Sequence, residues 1–192
     1  VARSIHILNV SSLQPHELEK IVEKIRAVFT LPVQITNDSL NLDQAYDISR
    51  RQYNSTALLV QILSLPNPKN DKKITIVDVD LYIPILTFVF GEAQLQGHAA
   101  IVSFHRLSNQ FYGMKPNQAL THERLEKEII HELCHTFGLV HCHQFECVLR
   151  SSTYVEEIDL KRNIPCPSCS KLLWERVNLF YQGIDINIPI EN

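Results

Sequence analysis

Apolar residues change their period several times along this chain, and each change marks an element. Ser4 to Val10 alternates weakly and predicts a first strand. From Pro15 to about Phe29, Leu18, Ile21, Val22, Ile25 and Val28 recur at helical spacing, and Pro15 suits a first helical turn. Val33 to Thr36 predicts a short strand, and Ser55 to Leu65 a second helix stopped by Pro66 and Pro68. Asn67 to Lys73 reads as a turn, and Ile74 to Val79 as a β-branched strand. After Leu86 to Phe90 a turn is expected at Gly91-Glu92, then an apolar run from Ala93 to Ser103. Within that run Ala99 to Ser103 predicts a strand, and the interruptions at Gly97 and His98 suit an edge position. Met114 to Leu120 reads as a loop. Thr121 is expected to cap a helix that carries Leu125, Ile129, Ile130 and Leu133 and ends near Gly138. Little period survives from there to Pro165; Cys166 to Tyr181 ends in a last helix with Leu172, Leu173, Trp174, Val177 and Phe180. Asn37 to Arg51 and Ser151 to Ile164 give no assignable pattern.

Helices and strands are interleaved, which predicts a mixed α/β (α+β) layer fold. With 192 residues, 45% of them hydrophobic, one domain with a real core is expected. We divide it into an N-terminal subdomain, 1–138, and a C-terminal one, 139–192. Net charge is −3 and no run of Lys or Arg suggests a nucleic-acid footprint, so no nucleic-acid partner is expected. The longest apolar stretch, Leu81 to Phe90, contains Pro84 and falls short of the ~20 residues that span a bilayer. Without a signal-like start, the expectation is a cytoplasmic protein away from membranes, monomeric by default.

Chemistry concentrates in the last third. His131-Glu132-Leu133-Cys134-His135 places two imidazoles four residues apart on a helix, on one face and about 6 Å apart along its axis. Each can give one nitrogen to a metal of tetrahedral preference. Glu132 emerges beside that metal, where it can take a proton from an activated water. A helix continued to residue 141 would point His141 away. Gly138 allows a sharp left-handed reversal instead, which returns His141 as a third ligand and leaves a fourth position for water. A lone HExxH can be an accidental helix with two surface His; the extension through Gly138 and His141 is far more specific.

All five cysteines lie here too. Cys142 and Cys147 are separated by 18 residues from Cys166-Pro167-Ser168-Cys169, a spacing that matches a four-thiolate structural zinc site. Two disulfides, a redox-active CxxC and unpaired core thiols remain as alternatives. Cys134 is read as a small buried residue and His143 as solvated, both outside the ligand set.

The whole pattern, His131-Glu132-x-x-His135-x-x-Gly138-x-x-His141-Cys142-x4-Cys147 followed by Cys166-x-x-Cys169, resembles the archaemetzincin family of metzincin-type metallopeptidases. The resemblance implies a twisted mixed sheet, an active-site helix and a short C-terminal part stapled by zinc. It implies two zinc ions per chain: a catalytic one on His131, His135 and His141 with Glu132 as general base, and a structural one on Cys142, Cys147, Cys166 and Cys169. It also implies a peptide or protein substrate bound along an antiparallel edge strand, expected within Ala93 to Ser103. One departure stands out. The family's methionine, two residues after the second Cys, is Leu149 here, and Leu149 is expected to form the same apolar floor. Tyr154 is a weak candidate for steadying an oxyanion. The expected activity is hydrolysis of short or unstructured peptides. The alternatives are a non-catalytic, zinc-stabilised peptide-binding module, and a protein in which both zincs are purely structural.

Overall fold

Two strands joined by the amphipathic helix set the frame: β1 (Ile5–Val10), α1 (Pro15–Phe29) and β2 (Val33–Thr36), with Ile5 beside Val33 and Ile7 beside Ile35 in parallel register. A computed structural model describes residues 3–185. The chain continues through β3 (Tyr46–Asp47), β4 (Gln52–Asn54), α2 (Ser55–Ser64), β5 (Lys72–Val77) and β6 (Leu81–Tyr82). Then come β7 (Gly91–Ala93), β8 (Ala99–Ser103), α3 (Gln118–Thr136), α4 (Val155–Asp159) and α5 (Pro167–Tyr181). The main sheet has the order β2-β1-β5-β8-β7; its first four strands are parallel, and β7 closes the edge antiparallel to β8. β3, β4 and β6 make a small second sheet.

The period of two gives the main sheet two apolar faces. Ile5, Ile7, Ile74, Ile76, Ala100 and Val102 join Ile25 and Phe29 of α1, Ile129 and Leu133 of α3, and Phe180 of α5 in one cluster. Val77, Ala99 and Ile101 join Leu58, Leu59 and Ile62 of α2 in a second. Burying both faces is what parallel strands require. It leaves α3 lying across β8 and β7, with the edge strand beside the turn that carries Glu132.

Four sequence expectations need correction. β5 starts at Lys72, inside the expected turn, because buried carbonyls satisfy its two ammonium groups. Lys72 Nζ donates to Gly97 O at 2.7 Å and Thr136 O at 2.8 Å, and lies over the rings of Phe137 and Phe180. Lys73 Nζ donates to Leu65 O at 2.8 Å. Gly91-Glu92 is strand, not turn, and the chain reverses after it, where Gly97 N donates to Gln94 O at 2.9 Å. The edge strand is therefore Gly91–Ala93, whereas Ala99–Ser103 lies inside the sheet. Asn117, not Thr121, caps α3: its side chain accepts the Leu120 N–H at 3.1 Å. Of the unassigned stretches, 37–51 holds a 3-10 turn at Leu42–Ala45 and β3, and 151–164 holds α4. Among the described residues no helix is long and apolar enough to cross a membrane.

Candidate metal centre

α3 delivers His131 and His135 with ring centroids 4.6 Å apart. The Nδ1 of His131 donates to the Val148 carbonyl at 2.8 Å, and that of His135 to the Leu139 carbonyl at 2.7 Å. A carbonyl only accepts, so each ring carries its proton on Nδ1 and a lone pair on Nε2. Those two Nε2 atoms face each other at 3.0 Å. Burial, with the charges of His141 and Lys161 on both rings and of His135 on His131 among the further causes, holds the imidazoles below their ordinary pKa and so neutral. Two lone pairs at that distance repel unless a cation lies between them.

The helix closes after Thr136 with Gly138 N donating to His135 O at 2.8 Å and Leu139 N to Cys134 O at 3.2 Å. Gly138 has φ +83°, the left-handed value that the spacing required. His141 consequently returns, its ring centroid 5.3 Å from that of His131 and 4.9 Å from that of His135. One donor nitrogen from each of the three rings lies within 4.8 Å of the others. Nitrogens bound to one tetrahedral zinc stand about 3.3 Å apart. The donor set therefore fits zinc in type, protonation and spacing.

Glu132 is 6% exposed and opens onto a cleft of about 480 Å³. Burial raises its carboxyl well above the usual range, and the charges of Glu128 and Glu92 add to the effect. One wall of the cleft is apolar and comes from Phe88, Val89 and Phe90, running into Gly91; the other carries Ser151, Ser152 and Thr153. Tyr154 is 64% exposed and does not line the cleft. Glu128, one turn before Glu132, is buried and paired at 3.4 Å with the equally buried Lys161. Sequence reading missed this pair, although Glu128 stands at i−4 from Glu132, a spacing that puts both on one helix face.

The four predicted thiols also converge. The Sγ atoms of Cys142, Cys147, Cys166 and Cys169 all lie within 4.8 Å of one another, and Cys142 and Cys166 are 3.9 Å apart. Sulfurs on one tetrahedral zinc stand about 3.8 Å apart. No disulfide forms: all five cysteines are free, and Cys134 is buried away from the cluster. Backbone N–H groups aim at the sulfurs, Cys166 N at Cys147 Sγ (3.3 Å) and Gln144 N at Cys142 Sγ (3.4 Å), as suits thiolates. His143 is exposed and outside both clusters. Leu149 is fully buried: its carbonyl accepts the Cys142 N–H at 3.0 Å, and the preceding carbonyl holds His131.

The chain is similar to known proteins over most of its length. Residues 11–175 match the model of Peptidase family M54. An archaemetzincin of Methanocaldococcus jannaschii is 42% identical over 132 residues, covering 69% of this chain and 72% of that protein. The crystal structure of an archaemetzincin from Methanopyrus kandleri superposes with a TM-score of 0.80 at 30% identity, covering 92% of this chain and 96% of that one. A structure described as a zinc-dependent peptidase from Methanocorpusculum labreanum gives 0.78 at 28% identity, over 88% and 100%.

Proposed function

The chain belongs to peptidase family M54, the archaemetzincin zinc-dependent metallopeptidases, and on that premise we propose that it hydrolyses short or unstructured peptides with Glu132 as general base. His131, His135 and His141 would hold the catalytic zinc, and Cys142, Cys147, Cys166 and Cys169 a structural one. The observation that carries this reading is the pair of lone-pair nitrogens 3.0 Å apart, each ring locked in its tautomer by a carbonyl, with a buried carboxylate on the adjoining residue.

Zinc supplies Lewis acidity, polarising a carbonyl and making a water acidic near neutral pH. The remaining work falls to the chain. The carbonyls of Val148 and Leu139 fix the ring tautomers. Glu132 takes the water's proton and returns it to the leaving amine, a role that its raised carboxyl pKa suits. The edge strand Gly91–Ala93 offers backbone groups to an extended peptide, which a folded protein could not present; this supports unstructured substrates. The subdomains 1–138 and 139–192 act as one catalytic unit in this reading, joined where His141 meets Cys142.

The test is Glu132→Ala assayed with a peptide pool. Zinc content should be unchanged and turnover should fall by roughly 10²–10⁴-fold, the usual contribution of a positioned base. Undiminished cleavage would remove Glu132 from the mechanism. A wild-type protein that binds peptides and cuts none would instead favour the peptide-binding module.

A further inference from the structure

The carboxylate of Glu132 has the opposite charge of Lys161 near it but no direct protein partner. Among the described residues it makes no hydrogen bond and no ion pair, although the side chain is 6% exposed and points into the cleft. Its neighbours Glu92 and Glu128 carry charge of the same sign. Glu92 is occupied elsewhere, accepting the Ser55 and Thr56 hydroxyls at the start of α2. The protein surface that this side chain packs on is the edge strand.

Strand alternation turns Glu92 toward α2 and leaves Gly91 and Ala93 facing α3. At Gly91 the approach is closest. A methyl group built there would lie 2.8 Å from Glu132 Cγ, 2.8 Å from its Oε1 and 2.8 Å from the Ile101 carbonyl oxygen, so no side chain fits. The φ of Gly91 is not in the left-handed region, so backbone conformation does not demand glycine here. What demands it is the side chain of Glu132 on one side and β8 on the other.

We propose that Gly91 is a positioning residue for Glu132: the missing side chain at the edge strand is the seat that sets where the general base presents its oxygens. Resting on the assignment of Glu132 as base, this adds the part of the chain that places it. The same three-residue strand would then align the substrate backbone and fix the base, so that carbonyl and proton acceptor share one reference frame.

A double-mutant cycle at positions 91 and 132 tests it, read by turnover and by the thermal unfolding of zinc-loaded protein. Gly91→Ala should retain zinc, lower kcat by on the order of 100-fold and leave KM within about threefold, as expected for a base displaced by about 1 Å. A variant that merely distorted the strand would raise KM with kcat little changed, and that result would overturn the proposal. In the Glu132→Ala background the loss of Tm caused by Gly91→Ala should shrink to less than about half, because the colliding side chain is gone. Equal losses in both backgrounds would assign the obstruction to the Ile101 carbonyl and sink the idea. If Gly91→Ala alone does not fold, recovery of folded protein on adding Glu132→Ala supports the seat, and failure to recover it contradicts it. The Glu132→Ala single variant is separately informative: were it active, the base assignment would fail whatever the unfolding cycle showed.

Discussion

The imidazole cluster and the thiol cluster meet at the peptide bond between His141 and Cys142, yet they are built in opposite ways. Two of the three imidazoles stand one turn apart on a 19-residue helix packed against the sheet, each with a carbonyl behind it. That arrangement is set by the helix and by the two carbonyls that orient the rings. The four thiols come from a loop without regular structure and from the start of α5, with 18 residues between the pairs. Burial raises the thiol pKa of Cys147 and Cys169, whereas hydrogen bonds lower that of Cys166 against its burial, so a metal that binds the four must displace protons from buried thiols. On the proposed reading, the helix-borne ligands are positioned mainly by the fold, whereas the loop-borne site would depend more on its metal for shape.

The comparison can be broken most directly by removing ligands from each side. Cys166→Ser with Cys169→Ser should lower Tm by more than about 10 °C, since a structural zinc supplies several kcal/mol and each kcal/mol moves Tm by about 2–4 °C at this size. His131→Ala with His135→Ala should abolish turnover and leave most of Tm intact. Similar unfolding of both variants would erase the distinction.

Next in size is the join. Gly138→Ala puts a β-carbon at φ +83° and should cost about 1–2 kcal/mol in denaturant unfolding. Space is not the obstacle, because that carbon would meet Gln96 only at 3.4 Å. Zinc retention at the imidazole cluster should weaken with it, as His141 swings away, and retention at the thiols should not. Leu149→Met should change stability by less than ~1.5 kcal/mol and turnover by no more than a few-fold, because the two side chains have similar volume. A large gain in activity would show that leucine does not replace the family's methionine at this position.

The last effect concerns the C-terminal end of the helix, next to His135. Lys72 ties the carbonyl of Thr136 to that of Gly97, and burial lowers its pKa from 10.5 to about 7, opposed by the charge of Asp185. Between those values the unfolded chain holds the proton that the folded chain has begun to release, so stability rises with pH across that window. Lys72→Met should flatten the rise, a difference on the order of a few kcal/mol between pH 7 and 10. A parallel profile for the two proteins would show that the two carbonyls and two ring faces keep Lys72 charged.

How legible each part was follows from the same contrast. His131, His135, Gly138 and His141 obey helical period and one glycine rule, and the four cysteines carry their own spacing, so both clusters could be read from the chain. Residues fixed by tertiary contact left little local trace. Lys72 and Lys73 look like a polar turn until buried carbonyls receive them. Gly91-Glu92 looks like a turn because the reasons for it, Glu132 beside Gly91 and two α2 hydroxyls beside Glu92, lie far away in sequence. Val148 and Leu139 act through their backbone carbonyls, which no side-chain identity announces.

Anomalous diffraction from crystals of the zinc-loaded protein tests the central claim most directly. Two peaks per chain are expected, one equidistant from the free nitrogens of His131, His135 and His141 and one inside the four sulfurs. A single peak within the sulfurs, with His141 turned to solvent, would contradict the account.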